Sequence, residues 1–211
     1  MNKNRSMSSK IWLREHFRDI YVQNAYKNGL RSRAWFKLYE IDKKYSLFKH
    51  GMNIIDLGSS PGSWSQYAIK KVNKKGGCVI SFDINNMRPI PGVYFFQHDI
   101  LQDEKIYCIL NVIKKKKIHV VMSDISPNIT GISSIDIPKS LFLNEVAFKI
   151  VKNVLSKNGF FLVKIFQNIQ LKNFVNKLRM YFNMVKICKP NASRNRSREI
   201  FILAKGFKVS I

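Results

Sequence analysis

The sequence predicts an α/β fold in which a mainly parallel sheet of seven strands carries helices on both faces. Three observations predict it: short apolar runs alternate with longer amphipathic ones, several apolar runs end in an aspartate, and a glycine-rich turn joins the first of them to a helix. With 211 residues, 45% of them hydrophobic, the chain has room for one domain with a sizeable core and little for a second.

Apolar residues recur at helical spacing from Ser9 to Tyr26 and again from Ser32 to Phe48, where Trp35, Leu38, Ile41 and Tyr45 form the stripe; Asn28-Gly29 stops the first helix. These basic helices occupy residues 1–50 as part of the single domain, and the core occupies 51–211. Strands are predicted at Met52–Asp56, Cys78–Asp83, Val93–Asp99, Ile118–Asp124, Phe160–Phe166, Met184–Cys188 and Ile200–Ala204. Helices are predicted between them, at Ser63–Val72, Pro138–Leu155 and Leu171–Phe182. In such a sheet ligands bind outside the carboxyl ends of the strands. A single acid at a strand end is most simply a loop or cap residue, but Asp56, Asp83, Asp99 and Asp124 together mark a polar ligand site.

Charge narrows the partners. The 37 Lys and Arg against 13 Asp and Glu give a formal charge of +24, a field that attracts polyanions. A codon bias toward Lys and Asn accounts for many of the lysines equally well. Arginine is more informative, because eight of the ten (Arg5, Arg14, Arg18, Arg31, Arg33, Arg194, Arg196 and Arg198) flank the central region 52–189, as placed phosphate contacts would. The run Lys114 to Lys117 reads as a solvated helix end.

Other classes are disfavoured. Cys78, Cys108 and Cys188 are odd in number and far apart, and the four histidines form no ligand-spaced pair, which points to a reducing compartment and no metal. No apolar stretch approaches the roughly 18 residues of a membrane span, and no apolar signal core follows the start. A soluble intracellular protein is expected. The basic, serine-containing first fourteen residues look like an organelle transit peptide until Glu15 and Asp19 break the pattern, so cytoplasm and mitochondrion both stay open. No long heptad run suggests a dimer, and a monomer is the default.

The most specific nucleotide-like element is the turn Asp56-Leu57-Gly58-Ser59-Ser60-Pro61-Gly62-Ser63-Trp64. Ser60 and Ser63 stand where a dinucleotide fingerprint has its second and third glycines, and Asp56 would repel a diphosphate. An acid there suits the ammonium of S-adenosylmethionine instead. Asp83 can then take the ribose hydroxyls and Asp99 the adenine amino group, with the neighbours Ile84 and Ile100 beside them. Ser59 and Ser60 alone remain compatible with a plain helix-capping turn.

Six segments carry a family resemblance: Trp12–Phe17, Gly29–Leu38 (Gly-Leu-Arg-Ser-Arg-Ala-Trp-Phe-Lys-Leu), Asp56–Tyr67, Val121–Asp124, Val163–Gln167 and Ser193–Glu199 (Ser-Arg-Asn-Arg-Ser-Arg-Glu). On these the chain, from about Trp12 to Ala204, resembles the FtsJ/RrmJ ribose 2′-O-methyltransferases. The resemblance implies a Rossmann-like class I methyltransferase fold. It also implies a Lys-Asp-Lys-Glu tetrad, which the motifs carry onto Lys37, Asp124, Lys164 and Glu199. A physical argument stands beside it, for Lys164 lies inside the apolar run Phe160–Phe166, where an unpaired charge is expensive, so an acidic partner is expected. Lys37 by itself reads as a solvated residue on a polar helix face.

In the implied chemistry Lys164 orients and deprotonates the ribose hydroxyl, Asp124 sits beside it near the sulfonium, and Lys37 and Glu199 hold the nucleotide. Arg31, Arg33, Lys37, Arg194, Arg196 and Arg198 are the expected RNA contacts. Leu30–Lys37 looks like the ribosomal branch of the family, bacterial and mitochondrial, which implies a uridine of large-subunit ribosomal RNA met within a ribosomal subunit. Ser59, Ser60, Ser63 and the stretch 168–172 depart from bacterial members of that branch. The alternatives are transfer-RNA 2′-O-methylation and a catalytically idle RNA-binding ribosome-assembly protein. Base amino methylation fits less well, because Asn128 stands where the stacking aromatic of those enzymes would be.

Overall fold

The computed structural model of the chain describes residues 17–102, 117–194 and 197–208. The motif residues 12–16, Cys108, Lys114–Lys116 and Arg196 lie outside the described residues.

Among these residues the order of elements is α1 (Ile20–Lys27), α2 (Ala34–Tyr45), β1 (Asn53–Leu57), α3 (Ser63–Val72), β2 (Cys78–Asp83), β3 (Val93–Gln97), β4 (Ile118–Ser123), α4 (Ser133–Val154), β5 (Leu155–Phe166), α5 (Leu171–Tyr181), β6 (Phe182–Cys188) and β7 (Glu199–Phe207). They form a seven-stranded sheet in the order β3-β2-β1-β4-β5-β7-β6. Strands β1 to β5 pair in parallel, while β7 runs antiparallel to both β5 and β6.

Successive side chains on a strand point to opposite faces, so near-continuous apolar runs supply two cores at once. On one face Ile54, Val79, Val120, Met122, Leu162 and Phe201 pack with Leu38 and Ile41 of α2 and with Trp64, Ala68 and Val72 of α3. On the other, Ile55, Ile80, Val121, Val163 and Ile202 pack with Ala147, Phe148 and Val151 of α4 and with Phe174 and Leu178 of α5.

The predicted strands and core helices all occur, and the shifted boundaries have local causes. Helix α4 starts five residues before Pro138, because the Asp136 carboxylate accepts from the Thr130 and Gly131 backbone N–H groups and from the Thr130 hydroxyl, organising the entry to the helix. Pro138 is tolerated so near the start because it forfeits only one early bond. Strand β5 begins at Leu155 rather than Phe160: pairing jumps from Ile118↔Leu155 to Val120↔Phe160, and the residues between bulge out with Asn158 at φ 64°. Strand β3 ends at Gln97, leaving Asp99 in the loop that follows.

Candidate active site

Strand β1 runs into the turn before α3, with Gly58 at φ +74°. A Cβ at Gly58 would lie 2.6 Å from the Ile125 side chain and 2.8 Å from its backbone, so only glycine lets this turn approach the loop after β4. Between turn and loop lies a cavity of about 330 Å³, within the size range of small-molecule sites. Gly58, Ser60, Asp83, Ile84, Asp99, Ile100 and Asp124 line it, together with Phe82, His98, Ser126, Asn128 and Leu143.

Asp83 is held rigidly: one carboxylate oxygen accepts the Ser60 N–H at 2.8 Å, the other the Asn85 N–H at 2.7 Å. Asp99 accepts the Leu101 N–H at 2.9 Å. Each of these carboxylates keeps lone pairs for a ligand's hydroxyl or amino groups. Ile84 is 59% exposed on the rim, whereas Ile100 is buried.

Asp56, on β1 two residues before Gly58, does not line the cavity and is fully buried. Its Oδ2 accepts the Ser65 hydroxyl at 2.6 Å, and its Oδ1 has no hydrogen-bond partner among the described residues. Burial pushes the carboxyl up to about 7; Ser65 opposes the shift and the charges of Asp124 and Asp83 reinforce it. A buried acceptor lacking a donor fits a cationic ligand group such as an ammonium. Ser59, Pro61, Gly62 and Trp64 of the same turn shape the site without lining the cavity. Trp64 in particular is core: its indole N–H donates to the Ala34 carbonyl at 3.0 Å and its ring packs on Phe201.

Beside the cavity stand two ion pairs. Lys164 Nζ is 2.9 Å from Asp124 Oδ1 and donates to the Asp124 carbonyl at 2.8 Å, and Lys37 Nζ is 2.6 Å from Glu199 Oε1. The antiparallel β5–β7 register brings the pairs together by placing Lys164 opposite Phe201 and Phe166 opposite Glu199. Lys164, Glu199 and Phe201 thus share the sheet face covered by α2, and Lys37 Nζ lies 5.8 Å from the centre of the Phe201 ring. The acidic partner expected for Lys164 is Asp124, while Glu199 pairs instead with Lys37.

Helix α2 also clamps the chain before β7. Glu40 accepts the N–H groups of Asn191 at 2.6 Å and Ala192 at 3.0 Å, and Arg33 Nη2 donates to the Ala192 carbonyl at 2.7 Å. The next residue, Ser193, donates its hydroxyl to Glu199 Oε1 at 3.1 Å. Asp19, which caps α1 through the Tyr21 N–H, pairs with Arg33 at 3.1 Å and Arg194 at 3.8 Å. Burial lowers the Arg33 pKa below the usual guanidinium value, against the pull of Asp19. Arg33 and Arg194 are therefore tied to this clamp. Arg31 donates to the Pro61 and Pro89 carbonyls at 2.8 and 2.9 Å beside the glycine-rich turn, and Arg198 is exposed. Ser193 belongs to a motif that carries the family resemblance and Asp19 reads in the sequence only as an acid ending a basic run, while Glu40 belongs to no motif; the spacing of Arg33, Lys37 and Glu40 along one face of α2 is the signal that points to it. Among the described residues no group of three or more His, Cys, Asp or Glu could hold a metal ion, and no helix is long and apolar enough to cross a membrane.

Comparison with known proteins agrees with this architecture. A ribosomal RNA large subunit methyltransferase E of Buchnera aphidicola subsp. Acyrthosiphon pisum is 52% identical over 196 residues, covering 93% of this chain and 95% of the relative. Its counterpart from Buchnera aphidicola subsp. Schizaphis graminum is 50% identical over 204 residues, covering 97% and 98%. The crystal structure of a protein described as a ribosomal RNA methyltransferase from Plasmodium falciparum superposes with a TM-score of 0.75 at 30% identity, covering 84% of this chain and 98% of that one. The model of the FtsJ-like methyltransferases matches residues 30–207, a span that includes the glycine-rich turn and both ion pairs, and the chain belongs to that family.

Proposed function

We propose that the chain transfers the methyl group of S-adenosylmethionine to a ribose 2′-hydroxyl of large-subunit ribosomal RNA. The observation that carries this reading is Lys164: a cation set in an apolar strand, held at 2.9 Å by Asp124 on the rim of the cavity. A structural lysine gains little there, whereas a hydroxyl nucleophile needs a positioned proton acceptor. The names of the Buchnera relatives favour the large ribosomal subunit over transfer RNA.

The cavity residues, with Asp56 next to them on β1, fit the donor. Asp56 Oδ1 offers an acceptor to its ammonium, Asp83 its two carboxylate oxygens to the ribose hydroxyls, and Asp99 an acceptor to the adenine amino group. When bound, the sulfonium supplies an electrophilic methyl carbon. Lys164 Nζ, once it has released its own proton to solvent, would take the 2′-hydroxyl proton as the oxygen receives the methyl group that the bound donor would supply. Asp124 pairs the ammonium so formed, and Lys37 and Glu199 hold the nucleotide while balancing each other's charge. Arg31, Arg33, Arg194, Arg196 and Arg198 contribute to the basic track for the RNA backbone.

The test is incubation with methyl-labelled S-adenosylmethionine and unmethylated large ribosomal subunits, followed by alkaline hydrolysis. Label in an alkali-resistant dinucleotide, absent with Lys164→Met, is expected. Label on a base, or on transfer RNA in preference to subunits, would overturn the reading.

A further inference from the structure

A second, smaller cavity of about 180 Å³ lies at the same end of the sheet, lined by Ile129, Ser133, Asp136, Ile137, Phe166 and Arg198. Two of its lining residues adjoin the ion-pair residues in the chain. Phe166 follows Lys164 by two residues on β5, on the same sheet face and roughly 7 Å along the strand. Arg198 immediately precedes Glu199, and its carbonyl accepts the Gln167 N–H at 2.8 Å.

The walls select a chemistry. Ile129 and Ile132 are 56% and 54% exposed, and between them Thr130 and Gly131 pin the loop through three hydrogen bonds to Asp136. A pinned loop that shows aliphatic side chains to solvent beside a charged site suits a ligand with an apolar face. The Asp136 carboxylate disfavours a phosphate in the cavity. The Phe166 ring and the Arg198 guanidinium are the two kinds of plane on which splayed RNA bases stack, and the Ser133 hydroxyl can meet a base edge.

We infer that this cavity receives the base of the acceptor nucleotide, so that its ribose reaches Lys164 with the base held among Ile129, Phe166 and Arg198. The inference rests on the reading of the ion pairs as a ribose methyl-transfer site. A base held there fixes the rotation of the nucleotide about its glycosidic bond and aims the 2′-hydroxyl, an orientation that distinguishes one ribose among many on the same strand.

The experiment places a photoreactive benzoylphenylalanine at position 129 of the full chain, irradiates it with unmethylated large ribosomal subunits, and maps crosslinks by primer extension. A stop within one nucleotide of the methylated ribose is expected. A stop elsewhere, crosslinking to ribosomal protein alone, or no crosslink overturns the inference. Independently, Ser133→Phe should fill the cavity and Arg198→Gln remove one stacking plane. Each is expected to raise KM for subunits about tenfold while affinity for S-adenosylmethionine stays unchanged; an unchanged KM in both overturns the inference. If the wild-type chain places no methyl on ribose, the function reading fails; if it does and crosslinks map elsewhere, only the base site fails.

Discussion

Replacing Asp56 by Asn tests the physics of the proposed cofactor site. The Asp56 carboxyl is fully buried, one of its oxygens has no partner among the described residues, and burial pushes it up to about 7 from an ordinary 3.8. The unfolded chain therefore ionises first, and between these values the folded state binds more protons. Stability is full below about pH 4, falls as pH rises, and levels off above about pH 7. The total is roughly three pH units at about 1.4 kcal/mol each, or ~4 kcal/mol. Roughly two of those units lie above about pH 5, so Asp56→Asn should gain about 3 kcal/mol on wild type between about pH 5 and pH 8. The unpaired amide donor costs about 1–3 kcal/mol at either pH and drops out of that difference. Urea unfolding of both cofactor-free proteins at the two pH values measures it. A wild-type-to-mutant difference constant to within about 0.5 kcal/mol would refute the argument that Asp56 is an uncompensated buried carboxylate. The same variant should bind S-adenosylmethionine at least about tenfold more weakly, because the amide cannot supply the charge that an ammonium needs.

Three further outcomes follow from the geometry. Lys164→Met should reduce the methyl-transfer kcat by about 10²–10⁴-fold, the usual contribution of a positioned acid–base group, with cofactor affinity retained in a calorimetric titration. Gly58→Ala combines a φ of +74° with a Cβ 2.6–2.8 Å from Ile125, and should lower stability by about 1–3 kcal/mol in thermal unfolding and weaken cofactor binding. Glu40→Ala leaves the Asn191 and Ala192 N–H groups without their carboxylate and loosens the segment carrying Ser193 and Arg194; a KM for ribosomal subunits raised about tenfold, with little change in cofactor affinity, is expected in steady-state assays.

Much of this was legible in the sequence because it depends on local chemistry. Apolar runs with period two or 3.6 marked every strand and core helix, and the runs of β1 to β5, apolar on successive residues, marked a sheet covered on both faces. Gly58 beside Asp56 marked the tight turn before α3, and a lysine inside Phe160–Phe166 demanded an acidic partner. The partner's identity was another matter. Asp124 and Glu199 lie 40 and 35 positions from Lys164 in the chain, and only the parallel β4–β5 and antiparallel β5–β7 registers decide that Asp124 takes Lys164 while Glu199 takes Lys37.

Trp64 shows the converse, since its place in the motif suggested the ligand, but a large aromatic beginning a helix that packs on the sheet is drawn into the core against Phe201. The Glu40 clamp on residues 191–192, about 150 positions away, is the part furthest from sequence reach: backbone N–H groups have no side-chain signature, and which acid satisfies them is decided when α2 packs beside β7. What the sequence alone determined is the periodicity, the charge and the chemically demanding residues, because these are properties of short segments. Which of those residues touch, which acids remain open to a ligand and which become buried staples was decided by the tertiary structure, because a hydrogen bond or ion pair forms only where packing brings distant atoms within about 3 Å.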